Sequence, residues 1–176
     1  INNDDHNVHS CSSLYFLAAE NSLINLNHKM KYITSQYQKY LESLKKEISL
    51  YQNESDLWKL TGDLKNTPGN LALHLCGNLK HNIGSVIGKN GYVRDRDLEF
   101  SSKGISKAEI LEDIESTTNI IIPILDSLTD DDLIEPFPEA SHGEDQAIYD
   151  ALVRLALHLG YHVGQINYHR RILFAD

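Results

Sequence analysis

Apolar residues recur three or four positions apart in four separate stretches of this chain, and nowhere do they alternate over a run long enough to make a strand. That period commits the chain to amphipathic helices that must bury their stripes against one another. From Met30 to about Leu50 the stripe is Ile33, Tyr37, Tyr40, Leu41, Leu44 and Ile48. Thr67 reads as an N-cap with Pro68 at the first helical position, where its missing N–H costs nothing, and the second helix runs to about Gly88. Ser106 with Glu109 is a capping box opening a third helix through Leu128, and Pro123 inside it is expected to kink it or break its last turn. The fourth runs from about Gln146 to Phe174, with Ile148, Leu152, Leu155, Leu159, His162 and Ile166 on one stripe.

The segments between are polar. Trp58 and Leu60 are expected to tuck onto the helices from the first connection. "GKNGYVRDRDLEFSSKG" has dense charge and no helical period, so it reads as a long connection with at most short irregular structure, and "TDDDLIEPFPEASHGED" reads as a loop. Four long helices and no internal repeat predict an all-α four-helix bundle with a long connection between helices two and three. At 176 residues the chain is the size of one domain. Residues 30–176 form that domain, while residues 1–29, ahead of the single methionine Met30, stand apart as a leading segment whose status the sequence leaves open.

Charge and composition narrow the function classes. With 25 acidic against 16 basic residues and a net charge of −9, no basic surface is available for nucleic acid or an anionic membrane. Cys11 and Cys76 match no zinc-finger or CxxC spacing, which fits a reducing cytoplasm. "NIIIPIL" is too short to span a bilayer, and the acidic opening "INNDDHNVHS" does not resemble a secretion signal.

The chemistry sits in the histidines. His158 and His162 are four apart, so both project from one helix face about 6 Å apart, beside the apolar stripe of Leu155, Leu159 and Ile166. That spacing suits a shared metal ion, with a third ligand from another helix. Helix two offers His74 and His81, roughly 10.5 Å apart along its axis, so only one of them can complete a site. The same separation sets His169 apart from His162. Buried histidines that merely satisfy their hydrogen bonds are the alternative reading of the same residues.

"NLALHLCGNL", "RDRDLEF" and "HLGYHVGQI" together resemble the DinB-like (DinB/YfiT-like) superfamily of metal-dependent enzymes, in particular its branch of uncharacterised small bacterial proteins (DUF1572-like), over about Met30 to Leu173. The resemblance implies a divalent metal, zinc or nickel, held by His74, His158 and His162. Gly164 and Gln165 complete an HxGQ-like signature, and Val163 stands where many members carry arginine. It also implies thiol chemistry, a metal-dependent transferase using a low-molecular-weight thiol. A metal-dependent hydrolase is one alternative, and a non-catalytic bundle with a structural or vestigial metal site is another. A structural zinc takes four protein ligands, and the sequence offers no persuasive fourth, which favours an open site.

Around this triad, Gln165 and Tyr161 are candidates for contact with a bound ligand. Arg94 and Arg96 either line the mouth of the site or form an Arg–Asp network that staples the long connection to the bundle. Cys76, about 200° around the helix from His74, faces elsewhere as a small buried hydrophobe. The tyrosines of helix one leave room for a homodimer.

Overall fold

A computed structural model describes residues 30–139 and 146–174; the leading segment 1–29 and His142 lie outside the described residues. The described chain is all helical, with six helices and no strand. Helix α1 covers residues 30–49, and a short 3-10 turn follows at Glu54–Trp58. Helix α2 spans Pro68–Leu79 and runs on through Lys80–Ile87 with the wider π-type hydrogen bonding. Then come α3 (Arg96–Ser101), α4 (Lys107–Ser127), α5 (Asp130–Ile134) and α6 (Ile148–Leu173).

One apolar cluster draws on all four long helices. Its members include Ile33, Leu41, Leu44 and Ile48 of α1, Leu71, Leu75 and Leu79 of α2, Ile110, Ile114 and Ile121 of α4, and Leu152, Leu155, Leu159 and Ile166 of α6. Each helix therefore buries the stripe its period announces. Tyr37, Tyr51 and His169, drawn into this core, find partners. Tyr37 donates its hydroxyl to the Leu152 carbonyl at 2.7 Å, tying α1 to α6. His169, 2% exposed, donates from Nε2 to the Lys59 carbonyl at 3.0 Å and accepts at Nδ1 from the Tyr51 hydroxyl at 2.9 Å. That chain of bonds pins the end of α6 to the connection after α1.

The predicted caps form. Thr67 accepts from the Asn70 amide at the start of α2, and Ser106 and Glu109 make a reciprocal capping box on α4. Four expectations need correction. The connection between α2 and α4 contains α3, capped by Asp95, which accepts from the Leu98 amide at 2.9 Å; six residues are too few to print a helical period. The acidic "TDDD" stretch likewise opens α5, where Thr129 and Asp132 cap each other. Pro123 does not break α4, which continues to Ser127, because the carbonyl it leaves unpaired belongs to exposed Asn119 and is open to water. Trp58 does pack inward and donates to the Ile105 carbonyl at 3.2 Å, whereas Leu60 is 58% exposed. Beyond α5, Pro136 and Ala147 form an isolated antiparallel bridge that leads the chain into α6. Among the described residues, no helix is long and apolar enough to cross a membrane.

Candidate metal centre

Packing of α2 against α6 brings His74 face to face with the α6 pair. His74, His158 and His162 each offer a ring nitrogen, and these atoms all lie within 4.8 Å of one another. Nε2 of His74 is 3.0 Å from Nε2 of His158. The three rings stand nearly perpendicular to one another, with centroids 4.4–5.4 Å apart. His74 is buried at 4% exposure, and the α6 pair is half-buried at the edge of the core. The register of the two helices produces this: Leu71 and Leu75 on α2 and Leu155 and Leu159 on α6 seat the interface, and the histidines occupy the adjoining positions.

On His74 and His162 the remaining nitrogen has a partner that selects the tautomer. Glu99, on α3, places Oε2 3.0 Å from His74 Nδ1. Arg94 holds the same carboxylate with two bonds, Nε to Oε1 at 2.7 Å and Nη2 to Oε2 at 2.8 Å. Nη2 also lies 3.2 Å from His74 Nδ1, but a lone pair on Nδ1 would face the acceptor-only Oε2, so Nδ1 is the donor and Glu99 the acceptor. Nε2 of His74 then carries a lone pair aimed at the α6 pair, where it accepts from His158 Nε2. On α6, His162 Nδ1 donates to Gln165 Oε1 at 2.6 Å, which likewise frees its Nε2.

Electrostatics disfavour protonation of the α6 pair. Burial lowers His158 to about 4, and the neighbouring His162, His74, Arg154 and Arg94 push the same way. His162 is also lowered by burial, against the opposing pull of its Gln165 bond. Burial pushes Glu99 up, but its bonds to Arg94 and His74 outweigh this and hold it below the usual carboxylate value. The residues therefore fit a divalent cation: three imidazoles with ring nitrogens within 4.8 Å of one another, two of them with Nδ1 engaged elsewhere and one backed by a carboxylate. Two imidazole nitrogens bound at about 2.0–2.1 Å to a tetrahedral zinc stand roughly 3.3 Å apart, close to the separation of His74 and His158.

A recess of about 360 Å³ opens beside His162. Leu71, Lys65, Tyr161, Gln165 and His169 are among its walls. Gln165 donates to the Tyr161 hydroxyl at 3.2 Å, and Tyr161, 64% exposed, stands at the rim with its ring 5.2 Å from His162. Both therefore lie beside His162. Of the two arginines, Arg94 reaches the site through Glu99. Arg96 does not; its guanidinium sits over the Phe100 ring, which in turn packs on His74. The Arg–Asp network expected in "RDRD" is replaced by Arg94 with Glu99, while Asp95 is spent on capping α3. His81 bonds Glu139 at the surface, and His169 belongs to the Tyr51 network, so neither joins the cluster.

Glu99 is the residue that sequence reasoning left without a role. Its segment was legible as charged, but only the fold of α3 shows that this one acid turns inward to 6% exposure while its neighbours face water.

Fold and site together define an all-helical protein with a cross-helix tri-histidine cluster of the kind that can hold a metal ion. The chain belongs to the family described as Protein of unknown function (DUF1572), which it matches over residues 26–176. No curated protein matches it significantly.

Proposed function

We propose that this chain is a four-helix bundle of the DinB-like type that binds a divalent metal, zinc or nickel, through His74, His158 and His162, and acts as a metal-dependent transferase using a low-molecular-weight thiol. The observation that carries the reading is the 3.0 Å approach of two imidazole Nε2 atoms from different helices while His74 Nδ1 is occupied by Glu99. An N–H···N bond between His74 and His158 accounts for that distance without an ion; a cation would take the place of its proton, with His162 as a third donor within 4.8 Å. A bound ion would supply Lewis acidity that lowers the pKa of a coordinated thiol or water, and three protein ligands leave at least one position for it.

The chain's own residues do the rest. Glu99 orients His74, and Gln165 orients His162 by accepting its Nδ1 proton. Lys65 contributes positive charge to the recess beside His162, and the Tyr161 hydroxyl lies at its rim. Leu71 and Pro68 make the apolar part of that wall, a setting for the carbon skeleton of a small substrate.

The test is turnover. Protein stripped by chelation and reloaded with zinc or nickel is offered small thiols with a panel of electrophiles, beside ester and amide substrates. Thiol consumption that needs the metal and disappears in His162→Ala supports the transferase; metal-dependent hydrolysis without thiol use would move the assignment to a hydrolase. Activity of either kind that survives complete metal removal would overturn the proposal.

A further inference from the structure

We propose that Glu99 is the positioning residue of the metal site, a carboxylate that fixes the tautomer of His74, with Arg94 as its clamp and Gly77 as the slot that admits it. The inference rests on the metal-binding reading above and deepens it by naming the residues outside the triad that set its affinity.

Three observations converge. First, Glu99 is buried at 6% exposure on a short helix whose other acids, Asp95 and Asp97, face solvent. A buried carboxylate needs full compensation, and Glu99 has it: two bonds from Arg94 and one from His74. Second, the arrangement is directional. Arg94 can only donate, so both carboxylate oxygens must accept, and the Oε2 that faces His74 Nδ1 draws the imidazole proton to that nitrogen. Nε2 is left as a lone pair aimed at His158, the form a metal ligand requires. Third, the backbone of α2 makes room for it. A Cβ at Gly77, one turn beyond His74, would collide with the Glu99 carboxylate, so only glycine allows this contact. Phe100, next in sequence, covers the His74 ring with centroids 4.8 Å apart and shields the bond from water.

Glu99→Ala makes the inference testable, because it removes the acceptor that faces His74 and leaves a donor beside it. Arg94 Nη2, 3.2 Å from His74 Nδ1 and able only to donate, is then the group that faces that nitrogen. His74 is then driven to the Nε2–H tautomer, and its lone pair no longer points at the α6 pair. The experiment records imidazole ¹⁵N chemical shifts of metal-free protein at pH 8 and, separately, the zinc dissociation constant by competition with a chromophoric chelator.

The account expects His74 as Nδ1–H in the parent protein and as Nε2–H in Glu99→Ala, with zinc affinity weakened roughly 10–100-fold while the circular dichroism spectrum is unchanged. Gly77→Ala, which leaves Glu99 in the sequence but displaces its carboxylate, is expected to loosen zinc binding to a similar degree. His74 remaining Nδ1–H in both variants, with zinc affinity within twofold of the parent, would overturn the positioning role and leave the metal site standing. A parent protein that shows the expected tautomer but takes up no zinc or nickel would overturn the metal reading itself, and the positioning role with it.

Discussion

Replacing His158 by glutamine should make the metal-free fold more tolerant of acid. His158 is lowered from 6.5 to about 4, first by burial and then by the charges that would surround its protonated form. Between those values the unfolded chain binds a proton that the folded chain refuses, so the stability present above pH 6.5 is lost as the pH falls towards 4. For a fully desolvated imidazole, linkage gives about 2 kcal/mol of loss by pH 5. His158 is only half-buried, and solvent screening reduces this to roughly 1 kcal/mol. The assay is urea unfolding at pH 7.5 and pH 5.0 in the presence of chelator, for the parent and for His158→Gln. Other groups titrate in both proteins, so the informative quantity is the difference between their losses. The variant should lose about 1 kcal/mol less than the parent. An equal or larger loss in the variant would mean that His158 is not held neutral by its surroundings, and the electrostatic account of the donor set would fall with it.

Other substitutions probe the supporting residues. Arg94→Ala should strand the buried Glu99 carboxylate and cost about 3 kcal/mol in urea unfolding at pH 7.5; a loss below about 1 kcal/mol would show that water reaches the pair. Tyr51→Phe removes the donor to His169 Nδ1 and should cost about 2 kcal/mol, seen as a melting temperature roughly 4–8 °C lower, and an unchanged melting point would deny that network its structural part. His81→Ala, at a surface pair with Glu139, should leave zinc affinity within about twofold of the parent, and a larger loss would move the site along α2.

Much of the fold was legible because its long helices carry long stripes. Ile33, Leu41 and Ile48, or Leu152, Leu159 and Ile166, repeat the period often enough to define a face, and Thr67–Pro68 and Ser106–Glu109 mark their starts. Helices α3 and α5 escaped because six and five residues contain too little repeat, and their capping residues were read as loop charge. The π-type end of α2 was equally hidden, since Lys80–Ile87 keeps the composition of an ordinary helix. The same distinction holds at the site. His158 and His162 declare their shared face through a spacing of four, and His74 enters by resemblance to a family pattern. Glu99 could not be read that way. Its meeting with His74 depends on how α3 docks against α2 and on the space left by Gly77, neither of which is local in sequence.

The central claim is a metal held between α2 and α6, and its most direct measurement is metal content. Parent protein, His74→Ala and His158→Ala are stripped by chelation, reloaded separately with zinc and with nickel, freed of excess ion and analysed for bound element. The account predicts about one ion per parent chain and essentially none in either variant, because each substitution removes one side of the cross-helix set. No stoichiometric metal in the parent after reloading, or full retention in both variants, would contradict it.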